Sequence, residues 1–191
     1  AFSFAYDDDA PTLADVAAVS FLARESGSLK ASVRAAKQAA RFGNMLTEAG
    51  YPMPVSITSL DSRTYDVPFT LAIARQESEF DPGATSSARA YGLMQMIDGT
   101  ARATARKHGL SYDRSRMLSD EFYAARMGSL HLNDLLARYD GSYIMAAAAY
   151  NAGPSRVTTW NAAFGDPRQG EIDPIDWVES IPFSETRNYV Q

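Results

Sequence analysis

The sequence of 191 residues contains no cysteine and only two histidines, His108 and His131. The absence of thiols excludes disulfide bonds, cysteine nucleophiles and thiolate metal sites. Two histidines on otherwise ordinary helical stretches also argue against a histidine-based metal cluster or a Ser-His-Asp triad. We therefore expect neither a metal site nor a cofactor.

Long apolar runs and an excess of positive charge are missing as well. No stretch approaches the roughly 18 uninterrupted apolar residues of a membrane span, so no span is predicted. The net charge is -5 and the isoelectric point is near 5.0, which argues against nucleic acid held on a broad basic face. A hydrophobic fraction of 46% suits one good core with a helical appendage.

Helical patterns begin early in the chain. Residues 1–11 are predicted to be a solvated end. Thr12 and Ser28 are typical helix caps, and each is followed by an apolar helical pattern. The first pattern ends at Gly27 and the second near Gly50, so the two predict an αα-hairpin.

A domain boundary is predicted just after this hairpin. Pro52 and Pro54 end it, and residues 55–64 are predicted to be a polar linker. Residues 1–55 would then be the hairpin with the start of the linker, and residues 56–191 a second domain. The chain begins with alanine rather than methionine and shows no signal peptide, so we expect it to be a processed or truncated product of something longer.

The second region is predicted to be mainly helical with a small β element. Asp66 and Pro68 are typical of a helix start, and this helix would run to Ser78. The turn formers between Asp81 and Gly92 predict a loop with a short antiparallel ribbon. Further helices are predicted at about 99–108, 120–139, 143–151, 155–164 and 176–180.

Glu77 lies near the C-terminal end of the helix that starts at Asp66, one turn beyond Ile73 and Ala74. That face is predicted to point toward the interior. A carboxylate is costly to bury. The position therefore indicates either a structural acid paired with an arginine, such as Arg75 or Arg187, or a carboxyl kept protonated so that it can donate a proton.

Four motifs in order narrow this choice. They are Ala74-Arg-Gln-Glu-Ser78, Gly92-Leu-Met-Gln95, Ala148-Ala-Tyr-Asn-Ala-Gly153, and Ile181-Pro-Phe-Ser-Glu-Thr-Arg187 followed by Tyr189-Val190. With them, residues 66–191 resemble the catalytic domain of the soluble lytic transglycosylases, a peptidoglycan-cleaving family with a goose-lysozyme-like fold. Residues 12–50 resemble, by helix pattern and position, the last hairpin of the α-superhelical domain that precedes this catalytic domain.

The resemblance implies a single-acid reaction. Glu77 would protonate the oxygen of the bond between N-acetylmuramic acid and N-acetylglucosamine. The substrate's N-acetyl group would assist departure, its C6 hydroxyl would attack C1, and Glu77 would then remove the hydroxyl proton, leaving a 1,6-anhydro ring. Glu79 and Asp81 are the nearest second acids, but neither matches a family catalytic role.

The resemblance also assigns binding or supporting roles to six further residues: Ser86, Met94, Gln95, Tyr150, Asn151 and Glu185. The Ser86 hydroxyl would orient the acid or the acetamido group, and the Asn151 amide would hydrogen-bond an N-acetyl group. Met94 and Gln95 would line the cleft floor.

Tyr150 and Glu185 complete this predicted set. The Tyr150 hydroxyl would point toward Glu77 or the sugar, and Glu185 would support the site rather than act as a nucleophile. A structural role without substrate binding stays open as the alternative for Tyr150, Met94 and Gln95.

The expected partners are peptidoglycan glycan strands and other cell-wall enzymes, and the expected compartment is the bacterial periplasm. Two alternatives stay open, a goose-type lysozyme that hydrolyses the same bond with water and a peptidoglycan-binding or assembly module without turnover. The intact acid, serine, tyrosine and asparagine favour turnover. The hairpin of residues 12–50 holds no matched site residue, so we expect it to dock without contributing to the chemistry.

Overall fold

A computed structural model describes residues 12–191, and the predicted solvated end at residues 1–11 lies outside them. The described chain is mainly helical with one small antiparallel sheet, which confirms the predicted fold class. In chain order the elements are α1 (Leu13–Glu25), α2 (Leu29–Ala40), α3 (Thr47–Gly50), α4 (Val55–Thr58), α5 (Val67–Ser78), β1 (Ala90–Tyr91), β2 (Met96–Ile97), α6 (Asp98–Lys107), α7 (Arg114–Ser119), α8 (Glu121–Arg138), α9 (Tyr143–Ala152), α10 (Pro154–Phe164), a 3-10 turn (Pro167–Gln169), α11 (Pro174–Glu179) and α12 (Ser184–Val190).

The chain divides into two compact units, one ending at Gly128 and one beginning at Ser129, with α8 contributing to both. In the first unit, α1 and α2 form the predicted hairpin. Thr12 and Asp15 form a reciprocal capping box at the start of α1, and the Ser28 hydroxyl accepts a hydrogen bond from the Ala31 N–H at the start of α2. Local cap chemistry therefore sets both helix starts.

The predicted end of α2 near Gly50 is wrong, because the helix ends at Ala40. The chain then turns through Gly43 in a left-handed conformation with φ of 80° and forms the separate short helix α3. Met45, which the apolar spacing places on a buried stripe, is 72% exposed. Its apolar spacing matches the helix only by coincidence.

The segment predicted as a polar linker contains a turn of helix, α4, with a buried core residue. Ile57 is fully buried and Leu60 is nearly so. Burial of a large aliphatic side chain stabilises a fold by about 1.5–3 kcal/mol, so this segment is packed structure rather than a free connection. The domain boundary near residue 55 stays a prediction.

Helix α5 begins as predicted. The Asp66 carboxylate caps it by accepting a hydrogen bond from the Phe69 N–H at 2.9 Å, and Pro68 occupies the first turn. Ile73 and Ala74 are buried in the core, and the helix ends at Ser78. This core-facing stripe fixes the rotation of the helix that carries Glu77.

The short sheet pairs Ala90 with Ile97 and Tyr91 with Met96. It closes the tight segment 92–95 between its strands. Met94 in that segment is fully buried, and a Cβ added at Gly128 of α8 would lie 2.5 Å from the Met94 side chain. Glycine at position 128 therefore lets the helix backbone approach Met94 closely.

The second unit packs α9 to α12 around two tryptophans and an alanine-rich helix. The α9 residues from Met145 to Ala149 are buried, which suits close helix packing. Trp160 and Trp177 are buried and meet edge to face, with ring centroids 6.2 Å apart. The Trp177 indole N–H donates to the Asn161 side-chain oxygen at 3.1 Å. Both tryptophans are therefore anchors of this core.

Candidate active site

Glu77 lies in the last turn of α5 and is half-buried. The neighbouring Arg75, proposed from sequence as a pairing partner, is engaged elsewhere in the first unit. Its guanidinium Nε donates to the Gly50 carbonyl at 2.7 Å and the group stacks 4.2 Å from the centre of the Tyr51 ring. The contacts of Arg75 therefore attach α5, the helix that carries Glu77, to residues Gly50 and Tyr51.

Ser78 connects this helix end to the segment between the strands. Its buried hydroxyl lies 2.8 Å from the Leu93 carbonyl oxygen, to which it donates. The sequence places Ser78 in the motif of Glu77, but no separate role was predicted for it. The hydrogen bond ties two of the four motifs together, since Leu93 belongs to the Gly-Leu-Met-Gln motif.

The Gly92-Leu-Met-Gln95 motif forms a tight turn, and the contacts of its residues mainly stabilise the turn itself. Gly92 has φ of 73°, and a Cβ at this position would lie 1.9 Å from the Met117 carbonyl oxygen. The Gln95 amide donates to the carbonyl oxygens of Ala84 at 3.0 Å and Gly92 at 2.9 Å. Met94 is fully buried, so it would support a cleft floor from below rather than touch a sugar.

Ser86 lies in the loop that leads to β1. Its hydroxyl oxygen accepts a hydrogen bond from the Ala90 N–H at 3.0 Å, and its backbone N–H donates to the Ala90 carbonyl at 3.0 Å. Both bonds close the turn around Arg89, which has φ of 60°. Ser86 thus shapes the loop, and the predicted role toward Glu77 or an acetamido group stays a prediction.

Glu79 and Asp81, the nearest candidates for a second carboxylate, are both paired with cations of α2. Glu79 receives Arg34 Nε at 2.6 Å and Lys37 Nζ at 2.8 Å. Lys30 Nζ lies 2.7 Å from Asp81. Carboxylates held in such pairs are poorly placed to attack a sugar carbon, which agrees with a mechanism that uses one acid.

The pKa of Glu79 reflects two opposed effects. Burial raises the pKa of its carboxyl, but the hydrogen bonds and charges of Lys37 and Arg34 together outweigh burial and leave it lowered. A carboxyl with a lowered pKa stabilises the fold above its ordinary pKa. That contribution is lost as the pH falls through the lowered value.

The second unit holds the other predicted site residues. Tyr150 is half-buried on α9, with its ring centroid 5.4 Å from that of His131 on α8. The Asn151 side-chain oxygen accepts a hydrogen bond from the buried Thr186 hydroxyl at 2.6 Å. This bond fixes which way the Asn151 amide points, and Thr186 is a supporting residue that the sequence analysis did not single out.

Glu185 and Arg187 belong to the last motif, on α12. Glu185 is exposed in the first turn of that helix. Arg187, the other proposed partner for Glu77, donates from Nη1 to the Ile181 carbonyl at 3.0 Å within the second unit. Within the Glu-Thr-Arg motif, Arg187 therefore ties α12 to the segment just before it, and Thr186 ties α12 to α9.

Among residues 12–191, no group of three or more histidine, aspartate and glutamate side chains is arranged to hold a metal ion. None of the helices in this range is both long and apolar enough to cross a membrane.

Comparison with known proteins places the chain in a family. The family profile described as "Transglycosylase SLT domain" matches residues 55–172. A Haemophilus influenzae protein assigned to the soluble lytic murein transglycosylases is 44% identical over 123 residues, which are 64% of this chain and 20% of that protein. The soluble lytic murein transglycosylase of Escherichia coli K12 is 41% identical over 126 residues, 64% of this chain and 19% of its own length.

Solved structures give the same result. The crystal structure of the 70 kDa soluble lytic transglycosylase of Escherichia coli matches with a TM-score of 0.81 and 32% identity, covering 95% of this chain and 29% of that one. The chain belongs to the transglycosylase SLT family. It spans about a fifth of the length of the curated relatives.

Proposed function

We propose that this chain carries the catalytic centre of a peptidoglycan lytic transglycosylase. The observation that carries the proposal is Glu77 itself, a half-buried acid at the end of α5, within the region that matches the family. The Ser78 hydrogen bond to Leu93 holds that helix end against the Gly-Leu-Met-Gln turn. An acid held in this way suits delivery of a proton to a defined point.

In the proposed reaction the Glu77 carboxyl donates its proton to the glycosidic oxygen as the bond from C1 of N-acetylmuramic acid breaks. The substrate's N-acetyl group supports the positive charge that develops at C1. The C6 hydroxyl of the same sugar then bonds to C1, and the Glu77 carboxylate takes its proton. The products are a free N-acetylglucosamine end and a 1,6-anhydro end, with no water consumed.

The remaining motif residues would bind the glycan or support the residues that do. Asn151, oriented by Thr186, would hydrogen-bond an N-acetyl group. Ser86 would shape the loop before β1, and Gln95 would line the cleft floor that Met94 supports from below. Tyr150 would place its hydroxyl at the reacting sugar, and Glu185 would support the site. The proposed compartment is the periplasm, where glycan strands and other cell-wall enzymes would be the partners.

Mass analysis of the products released from purified sacculi tests this proposal directly. We expect muropeptides with 1,6-anhydro ends. Reducing ends in their place would identify a lysozyme-type hydrolase, and binding to sacculi without release would identify a module that lacks turnover.

Replacement of Tyr150 by phenylalanine should lower the rate about tenfold to a hundredfold, or about 1.4 to 2.7 kcal/mol of barrier, because the hydroxyl is lost while the ring is kept. Tyr143→Phe, an exposed tyrosine on the same helix, is the matched control and should act like wild type. Muropeptide release over time measures both. Equal rates for the two variants would leave Tyr150 with a packing role only.

The pH profile should show a mildly acidic optimum without metal dependence. Glu77 must start protonated, so the rate should fall on the alkaline side as the free enzyme loses that proton. Addition of EDTA should leave the rate unchanged. A rate that climbs steadily past about pH 8, or one that collapses on chelation, would mean that another group carries the chemistry.

A further inference from the structure

The turn that follows α5 has an unusual backbone. Glu79 and Phe80 both adopt left-handed conformations, with φ of 55° and 64°, and neither is glycine. Such residues cost free energy that the surrounding structure has to supply. Burial of the Phe80 side chain in the core holds the backbone of Phe80 in this conformation. The other, Glu79, lies only two residues after Glu77, so whatever holds Glu79 also holds the end of the helix that carries the acid.

Helix α2 supplies the groups that hold Glu79. Arg34 and Lys37 lie about one turn apart, on one face of α2, and each contacts a different oxygen of the Glu79 carboxylate, at 2.6 and 2.8 Å. The Glu79 side chain is only 17% exposed. We call Arg34, Lys37 and Glu79 the clamp. Lys30, one turn earlier on α2, extends the contact to Asp81.

Arg75 provides a second contact between α5 and the preceding segment, two residues before Glu77. The Arg75 guanidinium donates a hydrogen bond to the Gly50 carbonyl and stacks on the Tyr51 ring. Because Arg75 is two residues from Glu77, the two side chains leave the helix about 200° apart. Residues 29–51 therefore contact α5 and the turn after it at two points, Arg75 two residues before Glu77 and Glu79 two residues after it.

We propose that the clamp positions the Glu77 carboxyl for proton transfer, so that the hairpin sets the rate of the reaction without touching substrate. This inference rests on the proposed function. It replaces the expectation that the hairpin contributes nothing to the chemistry. Glu79 is a positioning residue here, and Arg34 and Lys37 act through it.

The clamp should affect the rate far more than the stability. Partly exposed ion pairs contribute little to the free energy of unfolding, because solvent screens them and ordering their long side chains opposes them. A catalytic group displaced by about 1 Å can lose about a hundredfold in rate. Loss of the clamp should therefore lower kcat with little change in KM, since glycan binding does not involve these residues.

The test compares variants of the whole chain, each assayed well below its own unfolding temperature. Arg34→Gln with Lys37→Gln removes both cations, and Glu79→Gln removes the carboxylate. Each should lower kcat on glycan strands about tenfold to a hundredfold. Combining all three changes should add little further loss, because the interaction is already broken. Arg34→Lys with Lys37→Arg, which keeps both charges, should retain most of the rate.

Arg116→Gln is the matched control, because it breaks an ion pair of similar length, 2.7 Å to Asp120, away from the turn after α5. It should leave kcat unchanged. Wild-type kcat in the double variant, additive losses in the triple variant, or an equal loss in the control would overturn the clamp. So would a KM effect without a kcat effect.

Amide hydrogen exchange separates this inference from the proposed function. In the double variant the amides of residues 77–81 should exchange faster than in wild type, while those of α6 should not change. If wild-type protein releases no muropeptides, the proposed function fails but the exchange result still decides whether the clamp holds the turn. Unchanged exchange at residues 77–81 would reject the clamp whatever the activity.

Discussion

Glu77→Gln should release no measurable muropeptide from sacculi while folding and binding glycan like wild type. The amide keeps the shape of the side chain but has no proton that it can give to a leaving oxygen. General acid catalysis contributes typically about 10²- to 10⁴-fold, and here the same group also serves as the base, so both steps are lost. The measurement is the rate of muropeptide release, together with a sacculus pull-down and a circular dichroism melt.

Glu25→Gln is a suitable control for this variant, since Glu25 is an exposed acid at the end of α1. It should leave release unchanged. Near-normal release by Glu77→Gln would remove Glu77 from the reaction. Loss of both release and binding together with a lowered melting temperature would show instead that Glu77 supports the fold.

Gly92→Ala should be the most destabilising single substitution in the Gly-Leu-Met-Gln turn. The added methyl carbon would lie 1.9 Å from the Met117 carbonyl oxygen and 2.9 Å from its carbon, which is far inside contact distance. Backbone atoms cannot swing aside as a flexible side chain does. The left-handed conformation of Gly92 adds about 1 to 2 kcal/mol for a residue with a Cβ. We expect a loss of about 3 kcal/mol or more in the free energy of unfolding.

Gly109→Ala separates the two causes. Gly109 has φ of 66°, close to that of Gly92, but a Cβ there meets nothing within 4 Å. It should cost only the left-handed strain, about 1 to 2 kcal/mol. Urea unfolding of the two variants gives the comparison, and a Gly92→Ala chain too unstable to purify beside a well-behaved Gly109→Ala chain would be the same outcome. Equal midpoints would mean that the loop backbone moves aside freely.

Local cap chemistry made several helix starts predictable from sequence. Two short-range signals mark helix starts in the structure, Thr12 with Asp15 at α1 and Asp66 with Pro68 at α5. Helix α7 was missed because Arg114-Ser-Arg-Met-Leu-Ser119 lacks an apolar repeat, although Asp113 caps it through its carboxylate. The early end of α2 was missed because apolar residues continue past Ala40 at helical spacing.

In the candidate site, residues marked by a contiguous motif could be predicted from sequence, whereas contacts between distant parts of the chain could not. Glu77 could be singled out because its motif is contiguous in sequence. The partners of Glu79 could not, because Arg34 and Lys37 lie 45 and 42 residues away and no periodicity links them to it. Burial of Ile57 could not be predicted either, since the few apolar residues of segment 55–64 are too widely scattered to form a clear periodic pattern.

The close approach of Gly128 to Met94 has a consequence for how members of the family can diverge. The two positions share one volume, since any side chain at 128 must occupy space that the thioether now fills. A substitution at either position alone would open a void or force a collision, so the pair is constrained to change together. Among related chains, a bulkier residue at position 128 should accompany a shorter one at position 94. An alignment would display that exchange as covariation between a turn and a helix 34 positions further along.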